Sequence, residues 1–292
     1  MKKTFKLTTV AVLFALSGSL FAATVVTVNG VKIDSSDVER RAENVQKNTQ
    51  GQISDGPQLR QFITNELITE QLVVQEAKRL KLDKSSDYQA AEAEALKQAK
   101  AQGLDKQADF KQNWADYQNR LLMLAYAANL AKQQPISEAA AQQQYNQIKS
   151  RYAGSSEIQL GEIVTNKPAD AEAAINDLTK KKKFSDVAKK YSMSKSSQTS
   201  GGIVPEYVAL PDLKDGNNLV YQAVNGLSKG QFTKTPVKDG NVSLVLYVND
   251  KRAINVPTFN EMKASIVQQM EDEQLSLAID NLGKKAKIVP AK

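Results

Sequence analysis

The 292-residue chain contains no cysteine, no histidine and a single tryptophan. Without cysteine no disulfide can staple the fold, and no thiolate can serve as nucleophile or metal ligand. Without histidine the usual general base at neutral pH is missing, and so is the commonest zinc ligand. A serine–histidine hydrolytic pair is therefore excluded, as is a histidine-ligated metal centre. The one prominent apolar run, Leu7 to Leu16, is too short to cross a bilayer, which takes about 20 residues. No basic run is interleaved with aromatic residues in the manner of a nucleic-acid stacking platform. Gly201-Gly202 lacks the following Lys-Ser or Lys-Thr of a phosphate loop and reads instead as a sharp backbone turn.

What is present starts with an export signal. Lys2, Lys3 and Lys6 precede the apolar run, and the small residues of Ser17–Ala23 follow it. This is the layout of a secretory signal peptide, with cleavage expected near Ala22 and an exported, periplasmic mature chain. Of the 39 basic residues, three lie in this segment; the remaining 36 face 32 acidic ones. The excess of four serves solubility, and by long-range attraction it favours acidic clients or anionic surfaces. Four consecutive lysines, Lys180–Lys183, fall at an expected helix end, where cations meet the negative end of the dipole.

The pattern along the chain changes twice. Thr24–Val28 and Val31–Ile33 flank Asn29-Gly30, a two-residue hairpin signal. Ser36 with Glu39 forms a capping box that predicts a helix to about Thr49. Further helices are predicted over Gln58–Leu80, Ser86–Gln102 and Lys106–Gln133. The last carries a stripe of Phe110, Trp114, Tyr117, Leu121, Leu124 and Ala128, which reads either as core or as a client-binding surface; spacing favours core. Pro135 breaks that helix and Ser137 starts another, with Tyr145, Ile148 and Tyr152 inward. Gly154-Ser155-Ser156 then reads as a hinge. Beyond it, strand patterns at Glu157–Val164 and Val242–Asn249 enclose helices at Ala169–Lys182, Phe184–Tyr191 and Asn217–Asn225, and a polar loop at Ser192–Gly202. That order is α+β, a four-stranded sheet with about four short helices. After Pro257 a long helix places Phe259, Met262, Ile266 and Met270 on one face, which can be buried only against other helices.

The domain organisation follows: signal peptide 1–22; a discontinuous helical domain from 23–153 plus a C-terminal helix at 254–292; an inserted α+β domain at 154–253. VNGVKIDSSDVE, EIQLGEIV, the stretch from Phe184 to Gly202, LSKGQFTKTPVKDG, VSLVLYVNDKR and FNEMKASIVQQMEDEQ stand in that order along the chain. Together they resemble the SurA/PrsA group of exported foldases, a helical chaperone domain carrying a parvulin-type peptidyl-prolyl isomerase domain. The resemblance implies binding of unfolded or partly folded exported proteins and family membership among cis-trans isomerases. It implies no nucleotide, nucleic acid, metal or other cofactor. Homodimer formation through apolar helical faces is compatible with it.

In the family, two histidines sit at the sheet centre beside a Cys or Asp, with a Met and a Phe forming the proline pocket. Laid along this chain, the histidine positions fall at Glu162 and Leu244, and the Cys/Asp position at or near Ser194. The Met position falls near Ala209 and the Phe position near Asn225. Leu244 can neither donate nor accept a hydrogen bond. Glu162 reads as a substitute polar group or as a strand residue facing solvent or an ion-pair partner. Ser192, Ser194 and Ser197 supply hydroxyls without a base, and solvated serines suit such a loop. The implied site is degenerate, with isomerase activity weak or absent. The alternative is an active parvulin-type isomerase that uses non-histidine residues.

Overall fold

The computed structural model describes residues 23–291, so the predicted signal segment lies outside the described residues. The chain divides into two compact units. One comprises the N-terminal part to Pro135 together with Glu271 onward; the other is Ile136–Met270.

In the first unit β1 (Thr24–Val28) and β2 (Val31–Asp34) form the hairpin foreseen at Asn29-Gly30, whose φ values of 51° and 86° suit that pair. β7 (Ile288–Pro290) adds to β1, giving the order β2-β1-β7. Val26, Val28 and Ile33 are buried against Leu72. α1 (Ser35–Asn48) follows β2 directly. The capping box foreseen at Ser36 does not form: the N-cap is Asp34, and its carboxylate accepts from Thr24 Oγ1 at 3.0 Å. Strand pairing therefore decides where this helix begins. α2 (Pro57–Arg79) opens on proline, whose missing N–H costs nothing at a helix start. α3 (Ser86–Ala101) is capped by Ser85, which accepts from the Tyr88 amide at 3.2 Å.

α4 (Phe110–Gln133) corrects the reading of its stripe. Leu122, only 2% exposed, and Tyr126 pack with Val73, Val74, Ala77 and Tyr88, whereas Leu124 is 67% exposed. Two neighbouring apolar stripes run along this helix, and the partners on α2 choose between them. The same cluster receives Leu275, Ala278, Ile279 and Leu282 from the second half of α11 (Phe259–Lys285).

The second unit begins with α5 (Glu138–Tyr152), capped by Ser137 on the Ala140 amide. The units thus part at 135/136, where the sequence placed the boundary at 153/154. The reason is packing: Ala141 and Tyr145 are buried with Ile266 and touch Phe259 and Met262, and Tyr145 donates to the Pro257 carbonyl at 3.1 Å. Then follow β3 (Ser156–Thr165), α6 (Pro168–Thr179), α7 (Phe184–Tyr191), α8 (Lys195–Ser200), β4 (Ile203–Ala209), α9 (Leu210–Gly216), α10 (Asn218–Val224), β5 (Val237–Asp239) and β6 (Val242–Ala253). The four strands form an antiparallel sheet in the order β4-β3-β6-β5. One face packs Ile163, Val245 and Phe232 under α6 and α7. The other packs Ile158, Leu244, Leu246 and Val248 under α9 and α10. The fold is α+β, with five short helices around the sheet.

Candidate functional site

β3 and β6 run side by side at the centre of the sheet, with Glu162 opposite Leu246 and Val164 opposite Leu244. Side chains alternate along a strand, so Gly161 and Ile163 point towards α7 while Glu162 and Val164 share the other face. Glu162 and Leu244 therefore lie on one face, as diagonal neighbours about 7–8 Å apart.

Their surroundings differ. Leu244 is 8% exposed and sits in the apolar cluster with Val164, Leu246 and Val237. Glu162 is half-buried and lines an open cleft of about 320 Å³ with Ser197, Thr199, Ser200, Gly202 and Ile203. Its backbone N–H donates to the Gly202 carbonyl at 2.8 Å, which locks β3 to the start of β4.

The stretch read as a polar loop holds a helical turn, α8. Ser194 caps it, accepting from the Ser197 amide at 3.5 Å, and Gly201 ends it at φ 72°. The signals were in the sequence: a serine N-cap and a glycine stop seven residues on. Ser192, read from the sequence with Ser194 and Ser197 as a solvated serine, is instead a buried hub. Its buried hydroxyl accepts from the Val164 amide at 3.1 Å, and the Met193 amide donates to the Val164 carbonyl at 2.7 Å. Ser194 is thereby held beside the Val164 end of β3, across from Leu244.

Ala209 and Asn225 lie elsewhere. Ala209 ends β4 opposite Glu157 and caps α9. Asn225 ends α10, and its carbonyl accepts from Lys251 Nζ at 3.1 Å; Lys251 pairs with Ile158. These attachments are four to five residues along β3 from Glu162, about 15 Å at the rise of a strand. The structure thus puts Glu162 and Leu244 on one face of the sheet, Ser194 in the loop that flanks β3 at Val164, and Ala209 towards the opposite end of β3.

At that opposite end, charged groups knit the three strands. Asp250 accepts from Lys229 at 2.8 Å and from the Tyr207 hydroxyl at 2.5 Å. These two donors, Lys229 foremost, hold its carboxyl down at about 2, and the hydrogen bond to Asp250 raises the Tyr207 phenol. Arg252 lies over the Tyr207 ring at 3.8 Å and reaches Glu157. No group of three acidic side chains among the described residues is disposed to hold a metal ion. No helix of the described residues is long and apolar enough to cross a membrane.

Residues 136–264 match the family described as PPIC-type PPIase domain, and residues 4–113 match the SurA-like N-terminal domain. A probable parvulin-type peptidyl-prolyl cis-trans isomerase of Bordetella pertussis is 27% identical over 92% of this chain and 93% of its own length. A putative peptidyl-prolyl cis-trans isomerase of Campylobacter jejuni is 24% identical over 97% and 96%. A solved structure of a SurA-like chaperone from Campylobacter jejuni shares 23% identity, covering 90% of this chain and 96% of that one, with a TM-score of 0.37.

Proposed function

The chain belongs to the SurA/PrsA-like group that joins a SurA-like N-terminal domain to a PPIC-type PPIase domain, and on that premise we propose that it is an exported, periplasmic folding factor that binds unfolded polypeptides and whose isomerase site is degenerate. Rotation about a peptide bond faces a barrier of about 18–20 kcal/mol. Lowering it requires an apolar pocket for the prolyl ring and polar groups tuned to the carbonyl oxygen and prolyl nitrogen as conjugation is lost. The observation that carries the reading is Leu244. At the position matching the family's second histidine stands a side chain with no polar atom, buried among Val164, Leu246 and Val237. Glu162, at the first histidine position, keeps a carboxylate in the cleft but faces no second polar group across the sheet, only Leu246. Of the two positions suggested for the proline pocket, Ala209 is paired with Glu157, about 15 Å along the sheet from it.

One observation favours the alternative of an active isomerase: Glu162 shares its cleft with the hydroxyl-bearing residues Ser197, Thr199 and Ser200. Two measurements separate the readings. The protein is expected to suppress aggregation of an unfolded client while leaving cis-to-trans exchange of a proline peptide near its uncatalysed rate. Exchange at ordinary parvulin rates, abolished by Glu162→Ala, would establish the alternative; robust exchange with no effect on aggregation would refute the chaperone reading.

A further inference from the structure

A cleft of about 370 Å³ opens in the first unit between α3 and α4. One wall is α4, where Phe110, Trp114 and Tyr117 form a ladder of near-parallel rings. Phe110 and Trp114 have centroids 5.9 Å apart at 21°, and Trp114 and Tyr117 5.3 Å apart at 22°. From α3 the apolar lining opposite is only Ala95 and Ala99, with Leu104 at the end of the cleft. All three rings are half-buried, so they stop short of the close-packed core that begins one turn later at Leu122. A helix that merely needed to pack would meet such rings with larger residues, because a gap forfeits dispersion contacts.

The charge at this cleft is one-sided. Arg120 is the sole charged residue among those lining it, lying over the Tyr117 ring at 5.8 Å. Its natural partner one helical turn back, Asp116, is taken by Arg40 of α1. Among the described residues Arg120 has no acidic partner at ion-pair distance. The rim carries the amides of Gln98, Gln102 and Asn113, which can pair with the backbone of an extended chain.

We propose that this α3–α4 cleft receives one aromatic side chain of an extended, non-native polypeptide that carries an acidic residue next to it. The incoming ring continues the ladder of three, and the adjoining carboxylate meets Arg120. The commitment to an acidic neighbour rests on charge complementarity: the lone unpaired guanidinium, and the excess of 36 basic over 32 acidic side chains outside the leader. The inference rests on the client-binding reading above and adds to it a place and a preferred side-chain chemistry.

Trp114 is the only tryptophan of the chain, so its emission, excited where tyrosine is silent, reports on this cleft alone. The probes are short blocked peptides with the central pair Phe-Asp, Phe-Lys or Ala-Asp. Saturable change of Trp114 emission is expected with Phe-Asp, at about tenfold lower concentration than with Ala-Asp, the worth of one aromatic contact. The preference for Phe-Asp over Phe-Lys is expected to be about fivefold, the size of one partly exposed ion pair, and to reverse in Arg120→Glu. Equal responses to all three peptides, no response to any, or a preference unmoved by Arg120→Glu would overturn the proposal. Aggregation suppression measured alongside separates the two failures. Suppression that persists with a silent Trp114 refutes the cleft and leaves the client-binding reading standing; loss of both refutes the reading itself.

Discussion

Replacing Gly202 by alanine tests how the Glu162 cleft is built. The residue has φ 79°, in the left-handed region, and a Cβ there would lie 2.8 Å from the Glu162 carbonyl oxygen, 2.9 Å from Ala188 Cβ and 3.1 Å from Phe184 Cε1. None of these can retreat cheaply. The Glu162 oxygen belongs to the central strand, and the amide of the same residue donates to the Gly202 carbonyl itself; Ala188 is fully buried; Phe184 is stacked on Tyr247 at 4.5 Å. The left-handed conformation costs a non-glycine residue about 1–2 kcal/mol. Crowding that forces backbone to move costs a further 1–3 kcal/mol or so, roughly. Gly230 supplies the control, with φ 82° and no atom within 4 Å of an added Cβ. Gly230→Ala should therefore carry the conformational cost alone, and Gly202→Ala both. At urea m-values of about 1–3 kcal/mol per molar, the crowding difference lowers the midpoint of Gly202→Ala by about 1 M relative to Gly230→Ala. Because Trp114 lies in the other unit, the transition is best followed by hydrogen exchange at the amides of β3 and β6. Coincident midpoints for the two variants would refute the claim that close approach, not φ, demands glycine at 202.

Two further outcomes follow from the site and its edge. Leu244→Ala is expected to cost about 2–5 kcal/mol in the same titration, as for other buried leucines, whereas Glu162→Gln, on the open side of the face, should stay within about 0.5 kcal/mol; a neutral Leu244→Ala would show that Leu244 is not part of the core. Asp250 titrates lower in the folded protein, at about 2, than in the unfolded chain, because Lys229 and Tyr207 stabilise its charge. A depressed carboxylate stabilises above its unfolded value of about 4 and loses that contribution as pH falls towards 2. Asp250→Asn should thus flatten the fall in unfolding midpoint between about pH 4 and 2, and an unchanged slope would mean that the Lys229 contact does not persist in solution.

Much of the fold was legible because local signals were strong. Ser137 capped α5 where expected, Asn29-Gly30 made its hairpin, and the α7 helix ran over Phe184–Tyr191 as read. Less legible were elements that exist only through partners. β7 is three residues long and owes its strand conformation to β1. The N-cap of α1 is Asp34, whose carboxylate accepts from Thr24 Oγ1 of the paired strand. At the site, Glu162 and Leu244 could be put on one face by counting along two strands. Ser192 could not be singled out, because nothing in a serine-rich loop distinguishes the one hydroxyl that bonds the central strand.

The amino-acid sequence by itself determined the absences: no thiol, no imidazole and hence no histidine pair, whatever the chain folds into. It also determined the order of the long helices and of the two central strands, since hydrophobic period and capping residues act within a few positions of each other. Only the tertiary structure decided which of two apolar stripes on α4 is core, that α5 packs on the first half of α11, and that Ala209 pairs with Glu157, away from Glu162. Those questions turn on which distant residues meet. Helical spacing gives Phe110, Trp114 and Tyr117 a common face, but whether that face is filled depends on the alanines that α3 brings opposite it.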